Sequence, residues 1–215
     1  MGLRLASRLA SEAIFEAICM VMSSRKMKFP RILTEDEVAA MMKAAEPSPR
    51  DLMMLKCLYY LGLKSGEMLG LGVADIDFAK NIVRVAGADG RGLREVMIPG
   101  AFTFELEKYV QGRDGPVFSG RGQGNALSDR HIRRIVKDYA RLADVRNCGE
   151  IRPHTLRVSY AAHLRKEGIP VKAIQGLLGH SRRETTYMYT HGLSRIGKAA
   201  GRQEPEGDSE YGSYA

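Results

Sequence analysis

The sequence predicts a mainly α-helical (α+β) domain with a small antiparallel β-sheet, and three observations predict it. From Thr34 to Gly179, most segments repeat apolar residues at helical spacing and are punctuated by glycine and proline. One stretch breaks that period: NIVRVAG (81–87) and REVMIPG (94–100) are short β-type runs, and the glycine and aspartate of ADGRGL (88–93) between them make a hairpin turn. A length of 215 residues with 44% hydrophobic content suits one domain with a real core.

Residues 5–23 place Leu5, Leu9, Ile14, Phe15, Ile18, Val21 and Met22 on one broad face, the pattern of an amphipathic helix. Glu12 and Glu16 interrupt the run and no clean small-residue cleavage site follows, so a signal peptide is not expected. SSRKMKFPR (23–31) reads as a basic linker. Thr34 and Glu37 form a T-x-x-E capping box before VAAMMKAA, the first helix of the main domain, which Pro47 and Pro49 end. Asp51 is placed to cap LMMLKCLYYLGL, apolar on most sides and therefore central, with Gly62 as its stop; SGEMLGL follows as a short helical turn. Met41, Met42, Met53, Met54 and Met68 are expected to fill the core.

After the hairpin, PVFSG (116–120) reads as a short third strand and GRGQG as a loop. Ser128 or Asp129 caps HIRRIVKDYARLA, whose buried stripe is Ile132, Ile135, Val136, Tyr139 and Leu142. Arg133, Arg134, Lys137 and Arg141 lie on its other sides, a face suited to phosphates or simply to water. Pro153 precedes the helix HTLRVSYAAHLRKEG, stopped by Gly168; Pro170 opens VKAIQGLLG, stopped by Gly179. SRIGKAAG makes a last short helix. The expected organisation is an N-terminal helix and basic linker (1–29), a main domain (30–200) and a flexible acidic tail (201–215).

The net charge of +8 understates the basicity of the main domain, because the last 15 residues hold four acids and one arginine. Such a body suits a polyanionic partner, nucleic acid first. No apolar run reaches membrane-spanning length. Cys19, Cys57 and Cys148 match no metal knuckle, and their odd number fits a reducing, cytoplasmic setting.

One constellation carries chemistry. His154 and Arg157 are i, i+3 at a helix start and share a face. His180 follows the Gly179 stop, and Tyr189 lies nine residues on, within GHSRRETTYMYTH (179–191). These are ingredients for phosphoryl chemistry without an obligate metal. Tyrosine serves as covalent nucleophile, arginine clamps non-bridging oxygens, and histidine moves a proton near neutral pH. Tyr187 is the competing nucleophile, but its two-residue offset turns it to another side. His163 reads as structural.

With HTLR, YAAHL and LLGHSRRETTYMYTH in place, the chain resembles the tyrosine recombinases of the phage-integrase and Xer class, over about 80% of its length, from Pro30 to Ala200. The resemblance implies a largely α-helical catalytic domain at residues 30–200, with a small β-sheet on one edge. It implies cleavage and rejoining of double-stranded DNA through a 3′-phosphotyrosyl link and a Holliday junction, on a self-assembled dimer to tetramer. No metal and no other cofactor is implied. Tyr189 is then the nucleophile, Arg157 binds the scissile phosphate, His154 handles protons or orients the phosphate, and His180 stabilises the transition state. Candidate DNA contacts are Arg94, Arg130, Arg133, Arg134, Lys137, Arg182 and Arg183.

Two site positions depart from that pattern. The family's G-L-R-x-S-E is Gly62-Leu63-Lys64-Ser65-Gly66-Glu67 here, so Lys64 stands where a phosphate-clamping arginine is expected. The hairpin's expected lysine is Arg91, and no lysine occurs anywhere between Asn81 and Leu106. Both positions keep a cation, but lysine lacks the bidentate fork and arginine is a poor proton donor. A third departure is the N-terminus, where about 29 residues precede the main domain instead of a separate clamp domain. The sequence therefore supports a DNA breaking and rejoining enzyme, expected to be slowed by Lys64 and Arg91, with a catalytically impaired DNA-binding or regulatory protein as the alternative and topoisomerase-like relaxation as a third reading.

Overall fold

A computed structural model of the chain describes residues 31–86, 93–120, 127–180 and 186. The elements expected at 5–23 and 194–201 and the acidic tail lie outside these residues. In order, the described elements are α1 (Glu35–Ala45), α2 (Pro49–Tyr60), α3 (Ser65–Leu69), β1 (Ile76–Asp77), β2 (Ile82–Ala86), β3 (Leu93–Met97), α4 (Gly100–Val110), α5 (Asp129–Leu142), α6 (Pro153–Lys166) and α7 (Val171–Leu178), with 3₁₀ turns at Val73–Asp75 and Cys148–Glu150. The domain is thus mostly helical, with one three-stranded antiparallel sheet in the order β1-β2-β3.

Local chemistry sets the helix ends. Thr34 Oγ1 accepts from the Glu37 N–H at 3.1 Å, and the Glu37 carboxylate accepts from the Thr34 N–H at 2.9 Å, the reciprocal box read from the sequence. Ser128 Oγ accepts from the His131 N–H, so Ser128 and not Asp129 caps α5. Asp51 does not cap α2: that helix begins two residues earlier with Pro49 in its first turn, where the missing N–H is no loss, and Ser48 as the flanking residue. Asp51 instead accepts from the Tyr139 hydroxyl at 3.2 Å, tying α2 to α5.

The middle of the chain differs from the sequence reading in two places. The third strand is not PVFSG but Ile76–Asp77, which pairs with Val83 and Ile82; Pro116 makes a single bridge to Gly72, and Val117 and Phe118 are buried as core side chains. Helix α4, GAFTFELEKYV, had no counterpart in the sequence reading; its buried Phe102, Leu106 and Val110 follow helical spacing, but Pro99 and Gly100 in front of it read as a turn.

The core runs from Leu33 to Leu156 and draws on every layer, with Met41, Met42, Met53, Met54 and Met68 all buried in it. Cys57 is fully buried, and burial pushes its thiol up. His163 is structural: its Nδ1 meets the Tyr59 hydroxyl at 2.7 Å and its Nε2 meets the Leu33 carbonyl at 2.9 Å. A smaller cluster of Val158, Ala161, Ile174 and Leu178 docks α7 against α6 and so fixes where α7 ends.

Gly62 shows how tightly that junction is made. Its φ is +54°, and a Cβ there would lie 2.8 Å from Leu178 Cδ2 and 3.1 Å from Tyr160 Cδ1. Gly62→Ala adds left-handed backbone strain to a clash between α2 and α7, and should lower unfolding free energy by about 1–3 kcal/mol in urea titration. An unchanged midpoint would show that the junction relaxes freely.

Candidate active site

Four separate segments meet at the C-terminal end of α7. Arg157, on α6, is 1% exposed although it carries a charge. Its two terminal nitrogens donate to the carbonyls of Gly62 and Leu178, the residues that end the α2 corner and α7. Nη1 also lies 3.6 Å from Glu67 Oε2. Burying a guanidinium is tolerable only with such partners, since an unpaired buried charge costs several kcal/mol.

Glu67 is the counter-charge. Its side chain is 1% exposed, on α3, and three groups converge on it. Arg94, from β3, donates Nη1 to Oε1 at 2.6 Å and Nη2 to Oε2 at 2.9 Å, a two-pronged charge-assisted pair. The Lys64 backbone N–H donates to Oε2 at 2.7 Å, the reverse half of a helix cap, while the Lys64 ammonium stands 4.0 Å from Oε1 and is half exposed. Burial alone would raise the Glu67 pKa; the bonds from Arg94 and Lys64, with the charges of Arg94 and Arg157, outweigh it and hold the carboxyl below the usual range. Three cations thus surround one carboxylate, leaving a positive excess where an anion would sit.

The histidines stand at its edge. His154 is exposed at the start of α6. His180 is half-buried just after α7, whose last turn closes through the left-handed Gly179. Its Nδ1 meets Thr186 Oγ1 at 2.8 Å, and its backbone is held on both sides by Gln175. Desolvation, then the charges of Arg157, Lys64, His154 and Arg94, push His180 down to about 4. Desolvation with Arg157 and Lys64 also lowers His154. His180 is therefore neutral at pH 7, with one ring nitrogen donating and the other accepting, and the same surroundings favour the neutral form of His154.

Of the residues expected from the sequence, His154, Arg157, His180 and Lys64 lie within electrostatic reach of one another. Tyr189, Arg91, Arg182 and Arg183 lie outside the described residues. Arg94, expected to face DNA, commits its guanidinium to Glu67 and to the Leu177 carbonyl at 3.3 Å. Arg130, Arg133, Arg134 and Lys137 instead line an open cavity of about 440 Å³ together with His131 and Arg152. Arg133 also pairs with Asp129 one turn back, and Arg134 with His131. The sequence reading missed Glu67, the hub. Its signal was the Lys64-Ser65-Gly66-Glu67 spacing, which puts a carboxylate back on the N–H of its own helix cap. Among the described residues, no group of three or more His, Cys, Asp or Glu is placed to hold a metal ion, and no helix is long and apolar enough to cross a membrane.

Comparison with known proteins gives this arrangement a context. A model described as the phage integrase family matches residues 31–195. Tyrosine recombinase XerA of Pyrococcus furiosus is 35% identical over 167 residues, which cover 75% of this chain and 57% of the relative. Tyrosine recombinase XerC of Thermodesulfovibrio yellowstonii is 35% identical over 191 residues, covering 80% of this chain and 62% of the relative. The chain thus spans somewhat over half the length of these curated relatives. A crystal structure of XerA recombinase aligns with a TM-score of 0.70 at 24% identity, over 83% of this chain and 68% of that one. XerH bound to palindromic difH substrate, in a post-cleavage complex, aligns with a TM-score of 0.66 at 24% identity, over 81% of this chain and 53% of that one. At these identities the structural likeness establishes the fold.

Proposed function

This chain belongs to the phage integrase family, and on that premise we propose that it cleaves and rejoins double-stranded DNA through a 3′-phosphotyrosyl intermediate. The observation that carries the proposal is the net-positive cluster of Arg157, Lys64 and Arg94 about a single buried carboxylate, with His154 and His180 at its rim. Such a cluster attracts a phosphodiester and stabilises the extra negative charge of a pentacoordinate phosphorus.

The residues divide the work as follows. The Tyr189 hydroxyl oxygen attacks phosphorus, the bond to the 5′-oxygen breaks, and the tyrosine proton passes to His154, while His180 stabilises the charge on the phosphate. The leaving 5′-oxygen takes a proton from the cation at position 91 or, with the two roles exchanged, from Lys64, and departs as a hydroxyl. A 5′-hydroxyl from a partner strand then attacks the phosphotyrosine, restores the diester and returns the proton. If the Thr186 hydroxyl donates to His180 Nδ1, then Nε2 carries the N–H and is the atom that donates to the phosphate. The basic cavity of α5, with Arg130, Arg133, Arg134 and Lys137, suits the flanking backbone, as Arg182 and Arg183 do from the segment before Tyr189. Strand exchange needs a second active site, so the assembly on DNA is a dimer to tetramer.

The test is a nicked suicide duplex bearing the recombination site, from which the short 5′-hydroxyl fragment diffuses away and traps the adduct. A covalent protein–DNA band is expected, and Tyr189→Phe should abolish it. Binding without any adduct over hours would favour the second reading, a DNA-binding or regulatory protein. Lys64 and Arg91 favour that reading, since each replaces the cation the chemistry prefers.

A further inference from the structure

We propose that Arg94 is a positioning residue of this site: its guanidinium ties Glu67, and with it Arg157, to the Leu177–Gly179 turn that carries His180. The proposal rests on the reading of the site given above but assigns a task to a side chain otherwise expected to touch DNA. Helix α7 ends with carbonyls that have no partner within the helix. Two consecutive ones are taken by guanidinium groups: Leu177 by Arg94 Nε at 3.3 Å and Leu178 by Arg157 Nη2. Both arginines are balanced by the same carboxylate. One buried anion therefore joins α3, β3, α6 and the end of α7.

The fit at Gly179 is the second observation. A Cβ on Gly179 would lie 2.6 Å from Arg94 Cδ, 3.1 Å from Nε and 3.4 Å from Nη1. The arginine stem is thus laid across the bare backbone of the turn, one residue before His180. Glycine is needed there both for its φ of +62° and for this approach. Arg94 is itself held by the sheet, where it pairs with Val85 on β2. Along β3, Leu93, Glu95 and Met97 alternate on the exposed face, while Val96 enters the core and Arg94 reaches into the site. Strand β3 is in this way locked to the histidine turn.

Titration of the histidine rings in the full 215-residue chain, followed by NMR, tests this without any DNA. The groups facing His180 are Arg157 and His154 on α6, Lys64 before α3, Arg94 on β3 and the Thr186 hydroxyl. Arg94→Lys keeps the charge and loses the fork and the reach to Leu177. If Arg94 acts by position, the turn loosens, water reaches His180 and its midpoint rises by about one unit or more. If the midpoint in Arg94→Lys stays at the native value, Arg94 contributes charge alone and the proposal is overturned. A measurement on the unaltered protein covers the case of a variant that does not fold. The Arg94 Nε proton should exchange with solvent at least tenfold more slowly than that of exposed Arg133, and equal rates would overturn the proposal. Neither result depends on Tyr189, so failure here leaves the adduct test of strand cleavage intact.

Discussion

Glu67→Ala should lower the unfolding free energy of this domain by about 3–5 kcal/mol, the range found when one partner of a buried ion pair is removed. The size follows from what is left behind. Arg157 is 1% exposed and cannot turn to water, because its terminal nitrogens are fixed on the Gly62 and Leu178 carbonyls. Arg94 loses both prongs of its strongest pair, and the Lys64 N–H at the start of α3 loses its acceptor. Two positive charges then face each other across a cavity. The same carboxylate supplies a pH signature. Its pKa is held below the unfolded value, so its contribution is complete above about pH 4.5 and is lost as pH falls through the folded value. Glu67→Ala should therefore be less stable at pH 7 and also show a shallower acid limb than the native protein. Urea titrations at several pH values read both. A loss under about 1 kcal/mol with an unchanged acid limb would mean that the arginines find other partners.

Much of this fold is legible in the sequence because its punctuation is local. The Thr34–Glu37 box, Pro153 and Pro170 at helix starts, and Gly168 and Gly179 at helix ends each act within a turn of where they stand. The failures have a different origin. Strand β1 is two residues long, and only its pairing with Ile82 and Val83 makes it a strand. PVFSG has strand-like residues, but Val117 and Phe118 are drawn into the core and Pro116 cannot extend a ladder. The site divides along the same line. The spacing of His154, Arg157 and His180 is a sequence pattern. The convergence of Arg94 on Glu67 spans 27 residues and two unlike elements, so no periodicity encodes it. Arg94 looked like one more basic residue on a basic chain until the sheet register turned it inward.

That inward turn bears on the substitutions at positions 64 and 91. Restoring the family pattern with Lys64→Arg and Arg91→Lys should speed adduct formation by about 10²-fold, taking roughly tenfold for each restored clamp or acid. Lys64 places its ammonium 4.0 Å from Glu67 Oε1, half in solvent, and its charge is felt by both His154 and His180. It therefore already stands at the rim where the phosphate would lie, but as a point charge it can grip one oxygen where a guanidinium grips two. An arginine at 64 would not be consumed internally, because Glu67 already accepts from Arg94 on both oxygens and from the Lys64 N–H. Its fork would be left for the phosphate. At position 91 proton release decides the rate: an ammonium would give up a proton to a leaving 5′-oxygen far more readily than a guanidinium does. The single variants separate the two contributions. If Lys64→Arg alone slows cleavage, Lys64 is the proton donor in this chain and Arg91 the clamp, a division of labour reversed from the family's. If both single variants accelerate it, the natural residues are each a handicap, and their gains should multiply in the double variant unless the two cations repel across the same phosphate.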